Sequence, residues 1–135
     1  MSRMIFVNLA VKDLNASMDF FKAIGFEFNE QFTSPEGTGM VVNDRAYVML
    51  SVEPFFKTFI KGKELADTSK TVEATVAFSA ESKEDVDTVI EKAIAAGGIS
   101  TGEAMDQPGM YSRGFYDLDG HQWEFVWMDM SGSVS

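Results

Sequence analysis

The sequence contains an internal repeat. Phe6-Val7-Asn8-Leu9-Ala10-Val11 superposes on Thr75-Val76-Ala77-Phe78-Ser79-Ala80 without a gap; Asp13 then falls on Ser82, and Phe21 on Ile90. Each half reads strand, helix, then three strands, and a repeat of this kind stacks like units that cannot bury their apolar faces alone. One half covers one sheet face with its helix and leaves the other face bare. Two such halves can close their bare faces into a cavity. The expected fold is therefore α+β: two βαβββ modules, a curved mixed β-sheet around a cavity, and helices on the outside.

The local signals support that pattern. Met4 to Val11 alternates, with Val7, Leu9 and Val11 on one face and Phe6, Asn8 and Ala10 on the other. Asp13 offers a helix N-cap. Leu14, Met18, Phe21 and Ile24 follow at helical spacing, and Gly25 supplies a stop. Phe26 to Thr33 reads as a strand with a register change midway, Ser34 to Gly37 as a turn, and Gly39–Val42 and Arg45–Val52 as a hairpin through Asn43-Asp44. Glu53 to Ile60 suits a short helix with Pro54 in its first turn. Lys61 to Lys70 is polar and aperiodic, a mobile linker.

The second half opens with a strand over Val72–Ala80. Ser82 and Asp85 form a capping box, and Val86, Val89, Ile90, Ala93 and Ile94 make an apolar stripe that Gly97-Gly98 ends. Ile99–Met105 reads as a weak strand, Asp106–Gly109 as a loop, and Met110–Leu118 as a strand. These boundaries give one domain over residues 1–130, with module one at 1–60, a linker at 61–70 and module two at 71–130. Residues 131–135 form a flexible tail.

The chain closes on a hairpin. Asp119-Gly120 is a strong turn signal, because glycine takes positive φ without steric cost. Trp123, Phe125 and Trp127 then share one face; Gln122, Glu124, Val126 and Met128 share the other. The aromatic face demands burial. On the second face, Glu124 either meets water or looks into a cavity. A cavity carboxylate needs a partner: a proton, Arg113, or a cationic ligand. His121 is the only histidine. It falls on the Trp123 side and reads either as a general base or as a turn or interface residue.

Composition removes several classes of function. There is no cysteine, so thiol chemistry, disulfides and cysteine-bound metal are excluded, and a reducing, cytoplasmic location is expected. No signal peptide or membrane-spanning apolar run is legible. The formal charge of −10 disfavours nucleic acid and anionic membrane. It either serves solubility or favours a cationic ligand. No serine–histidine spacing and no glycine-rich phosphate loop is present.

Asn8-Leu9-Ala10-Val11-Lys12-Asp13-Leu14, Phe20-Phe21, Gly25-Phe26 and the closing Asp117-Leu118-Asp119-Gly120-His121-Gln122-Trp123-Glu124 resemble the vicinal oxygen chelate superfamily. It holds glyoxalase I, bleomycin resistance proteins and extradiol dioxygenases. The resemblance spans nearly the whole chain and implies fold more than reaction. The metal enzymes of that family place ligands on the bare sheet faces. Carried over residue by residue, those positions are Phe6, Met49, Thr75 and Glu124. Only Glu124 keeps a good donor: an aromatic ring offers none, a thioether is soft, and a neutral hydroxyl is weak.

The resemblance therefore implies a metal-free small-molecule binding protein with no cofactor. Its ligand is small and amphipathic or aromatic, including a cationic one, held in an apolar cavity with Glu124 as the polar handle. Phe6, Asn8, Tyr47, Met49, Thr75, Tyr111, Arg113 and Glu124 are the candidate ligand-binding residues. The alternative is a divergent metal-dependent lyase, isomerase or dioxygenase with a relocated divalent metal site. A homodimer is expected, by the same resemblance.

Overall fold

A computed structural model describes residues 3–130. The tail expected at 131–135 lies outside the described residues. The chain divides into two compact units at Asp67/Thr68.

In the first unit β1 (Ile5–Val11) leads through Asp13 into α1 (Leu14–Ile24), followed by β2 (Glu27–Ser34), β3 (Gly37–Asn43), β4 (Ala46–Val52) and the single-turn α2 (Glu53–Phe56). The sheet order is β1-β4-β3-β2, with β1 parallel to β4 and the other pairs antiparallel. Both ends of α1 are fixed by the residues the sequence offered. Asp13 accepts from the Ala16 amide at 3.0 Å. Gly25, at φ 118°, and Phe26 return their amides to Lys22 and Phe21, satisfying carbonyls that a helix end would otherwise strand. Phe20, Phe21 and Ile24 of α1 are buried, as are Leu9, Val11, Met40, Val48 and Leu50 on one face of the sheet.

The second unit repeats the plan with β5 (Thr75–Ser79), α3 (Lys83–Ala95), β6 (Ile99–Ser100), β7 (Met105–Gln107), β8 (Met110–Tyr116) and β9 (Gln122–Met128). β5 is parallel to β9, β9 is antiparallel to β8, and β6 and β7 both pair with β8. Helix α3 covers the face that carries Phe115, Trp123 and Phe125. The Trp123 indole lies between two phenyl rings, 5.9 Å from Phe78 and 6.4 Å from Phe115, nearly parallel to both. Each such fully buried side chain is worth roughly 1.5–3 kcal/mol of transfer free energy.

Several boundaries differ from the sequence reading, for physical reasons. The strand expected over Val72–Ala80 is confined to Thr75–Ser79, where β9 supplies partners. The expected Ile99–Met105 strand is broken in two: Gly102 turns at φ 135°, and the Ser100 hydroxyl bonds both its amide and its carbonyl. Asp106 and Gln107, expected in a loop, pair with β8 instead. The first hairpin turns at Asp44-Arg45, one residue late, because Asn43 Oδ1 accepts from the Arg45 amide at 2.8 Å. The capping box closes on a neighbour: Ser82 Oγ accepts from the Asp85 amide, and the Asp85 carboxylate accepts from Glu81, not Ser82. Ile94, expected in the buried stripe, is 44% exposed.

Candidate functional site

Each sheet has one face turned away from its helix. Register and strand alternation decide which candidates occupy it.

On the first sheet, Phe6 pairs beside Tyr47 and Asn8 beside Met49, all four on the face away from α1. Phe6 stacks on Tyr47 with centroids 5.7 Å apart and planes 12° from parallel. Phe32 meets both rings edge-on, at 6.3 Å and 5.3 Å. Tyr47 is buried, whereas Phe6 remains 44% exposed. Phe32 reaches this cluster through the irregularity in the β2–β3 ladder between Asn29 and Ser34. Gly39 makes the approach possible. A Cβ there would stand 2.7 Å from the Phe32 ring and 3.3 Å from Met49 Sδ. Phe32 falls within the strand whose register change is legible in the sequence, and Gly39 is the signal that a ring lies across the next strand.

On the second sheet, Thr75 stands beside Gln122, and Ala77 and Gly114 flank Glu124. Gln122 Nε2 donates to Glu124 Oε2 at 2.7 Å, the short distance of a charge-assisted hydrogen bond. The carboxylate lies over β8 because Gly114 lacks a side chain: a Cβ there would stand 2.8 Å from Glu124 Cδ. Gln122 was not among the expected site residues, although its parity with Glu124 was legible.

Tyr111 and Arg113 do not join this group. Tyr111 pairs opposite Trp127 and Arg113 opposite Phe125, so both lie on the α3 side. There they converge on Asp87 of α3. The Tyr111 hydroxyl donates to Asp87 Oδ1 at 2.7 Å, and Arg113 Nη1 donates to the same oxygen at 3.0 Å. The Tyr111 bond, then the Arg113 bond, holds the Asp87 carboxyl below its ordinary range, and the same bond holds the Tyr111 phenol above its own. Arg113 was offered as a partner for Glu124; strand alternation turns it to the opposite face.

His121 is buried on the Trp123 side, with Nδ1 2.9 Å from Glu73 Oε2. Its amide and that of Asp119 donate to Asp117 Oδ1, and the Trp123 indole donates to Oδ2 at 2.9 Å. Burial nevertheless raises the Asp117 carboxyl above its ordinary value; nearby His121 and these donors oppose it. These contacts brace the turn, and they set His121 apart from Glu124 by strand parity. One groove, of about 450 Å³, adjoins the start of α1 between Asp13, Met18, Pro35 and Val52. None of the candidate residues lines it.

The family's metal can be tested against these donors. Glu124 has an amide and, one row away, a hydroxyl as neighbours on its face. Among the described residues no three His, Cys, Asp or Glu side chains gather where they could hold one ion. The residues at the four family positions thus do not fit a transition ion, which needs about three or more such donors.

The fold has many known counterparts. The structure of hypothetical protein SA1046 from S. aureus superposes with a TM-score of 0.80 at 28% identity, covering 93% of this chain and 94% of that one. A glyoxalase/bleomycin resistance protein/dioxygenase family enzyme from Burkholderia phytofirmans PsJN gives 0.79 at 18% identity, covering 94% and 99%. The fosfomycin resistance protein FosX from Listeria monocytogenes, complexed with Mn(II) and sulfate, gives 0.70 at 22% identity, covering 96% and 93%. A comparison with curated proteins finds no match. The family model for the Glyoxalase/Bleomycin resistance protein/Dioxygenase superfamily matches residues 3–125. With the repeated βαβββ plan and a family match over nearly its whole length, this chain belongs to the Glyoxalase/Bleomycin resistance protein/Dioxygenase superfamily.

Proposed function

We propose that the chain is a small-molecule binding protein of the glyoxalase/bleomycin-resistance type that takes its ligand without a metal ion. The observation that carries this reading is the state of Glu124. It alone of the four family positions keeps an ionic donor, and its carboxylate is engaged by a glutamine amide. The Phe6–Tyr47–Phe32 cluster supports an aromatic or amphipathic ligand, since exposed aromatic faces with few polar groups suit such molecules. On the same face of the first sheet Asn8 and Met49 supply polar and polarisable contacts, and on the second sheet Thr75 does so beside Gln122.

Elemental analysis after gel filtration, paired with native mass spectrometry for retained organic molecules, tests the reading. Transition metal is expected well below one ion per chain, and chelation should leave stability and ligand retention unchanged. A stoichiometric ion that survives gel filtration and is released by Glu124→Gln would overturn it. That result would favour the alternative, a metal-dependent lyase, isomerase or dioxygenase.

A further inference from the structure

The register of the second sheet gives Glu124 no charged neighbour on its own face among the described strands of that sheet. On the face away from α3 its neighbours include Thr75, Ala77, Gly114, Tyr116, Gln122 and Val126, and no basic residue among the described strands of this sheet shares that face. Arg113, the nearest candidate by sequence, is turned to the other side and held by Asp87. Gln122 donates a hydrogen bond but carries no charge, so it supplies no counter-charge to the carboxylate. A ligand that covered it with apolar or neutral surface would strip its water without compensation, which is costly. A ligand that brings a positive N–H donor replaces that water with a charge-assisted bond.

The Gln122 amide also fixes what remains on offer. Its Nε2 faces Glu124 Oε2, since only the NH₂ end can donate to a carboxylate. Its own carbonyl oxygen and Glu124 Oε1 are left as acceptors on one face, with the Thr75 hydroxyl in the same row as Gln122. Ala77 and Gly114 raise no side chain beside the carboxylate that would bar approach. A primary ammonium carries three N–H donors and suits several acceptors at once. A quaternary ammonium has the charge without the donors, and an alcohol has a donor without the charge.

We propose that Glu124 and Gln122 form a subsite for a primary ammonium group. The carboxylate at a family metal position binds an organic cation, and Gln122 is the residue that positions it. This rests on the metal-free reading above and adds the chemical class of the ligand.

The test uses the full chain, labelled with ¹⁵N, and follows the Gln122 side-chain amide and the Ala77 and Gly114 backbone amides by NMR. The probes are benzylammonium, benzyltrimethylammonium, benzyl alcohol and Mn²⁺. Benzylammonium is expected to shift these signals saturably, with affinity at least about tenfold above benzyl alcohol and above the quaternary ion. Glu124→Gln should remove that preference, and Gln122→Ala should reduce benzylammonium affinity about three- to tenfold while the spectrum of the buried core stays unchanged. Equal affinity for the ammonium and the alcohol, or the absence of shifts with any organic probe, would overturn the ammonium subsite and leave metal-free binding standing. Selective bleaching of these signals by stoichiometric Mn²⁺, lost in Glu124→Gln, would overturn both.

Discussion

Trp123→Phe is expected to destabilise the second unit by an amount that depends on pH. Trp123 is fully buried between Phe78 and Phe115, so the smaller ring leaves a void costing about 1–2 kcal/mol. It also deletes the indole N–H that meets Asp117 Oδ2, and a hydrogen bond to a charged acceptor contributes about 1.5–3 kcal/mol. The sum is about 2.5–5 kcal/mol near pH 7, a shift of about 1–3 M in the urea midpoint. The sign with pH follows from Asp117. Burial raises its folded pKa above the ordinary 3.8, so the folded chain holds the proton longer than the unfolded one. Wild-type stability therefore falls as pH rises from the ordinary aspartate range through the raised folded value. Removing a donor that favours the ionised form pushes that value higher still. The penalty for Trp123→Phe should thus be smaller in acid, where Asp117 is neutral in both proteins, and should widen towards neutral pH. Urea unfolding followed by far-ultraviolet circular dichroism at several pH values measures it, in wild type, Trp123→Phe, Asp117→Asn and the double variant. The double variant should recover about 1 kcal/mol or more of the additive loss at pH 7. A penalty that is independent of pH and strictly additive would refute the reasoning and leave packing alone as the role of the indole.

Tyr111 should titrate above the ordinary tyrosine value of 10.0 in a spectrophotometric titration, because it donates to Asp87, and Asp87→Asn should bring it back. The stability gained from that bond is present below the ordinary value and is lost as pH rises through the folded one, so Tyr111→Phe should matter at neutral pH and not in strong alkali. Gly114→Ala should cost about 1–3 kcal/mol by overpacking, since its Cβ would stand 2.8 Å from both Glu124 Cδ and the Trp123 carbonyl. Thermal melts should show part of that cost relieved in the Glu124→Ala background; no relief would mean that the carboxylate does not lie across β8.

The helices were legible because their ends are local chemistry. Asp13, Gly25, Ser82 and Gly97-Gly98 act within a few residues of themselves, and each caps a helix as the sequence suggested. The aromatic face of β9 was equally legible, because period-two burial of Trp123 and Phe125 needs no knowledge of the partner strand. The site was harder. Arg113 and Tyr111 share parity with Phe115, which is fully buried, and that parity was the available clue that they face α3. The charge of Arg113 suggested Glu124 instead, whereas Asp87 on a distant helix is its partner. The strand irregularity that carries Phe32 was legible as the register change within Phe26–Thr33, but not that it would bring the ring onto Phe6 and Tyr47. The Gln122–Glu124 bond depends on side-chain torsions, to which alternation is blind.

The Asp119-Gly120 turn has a second duty. Thr68 donates its hydroxyl to the Asp119 carbonyl, and the Thr68 carbonyl lies where a Cβ on Gly120 would be. Glu73 reaches His121 from the same stretch of chain. The end of the segment expected to be a mobile linker is thus strapped across the hairpin. The matching turn of the first unit, Asp44-Arg45, has no glycine and no residue at positive φ. Glycine at position 120 therefore records a crossing of the chain over itself as much as a tight bend. Asparagine tolerates positive φ and would satisfy many turns, but here its first side-chain carbon would strike the strap. A second unit cut to begin at Thr71 would keep every strand and lose this crossing, baring the turn from which the Glu124 strand departs.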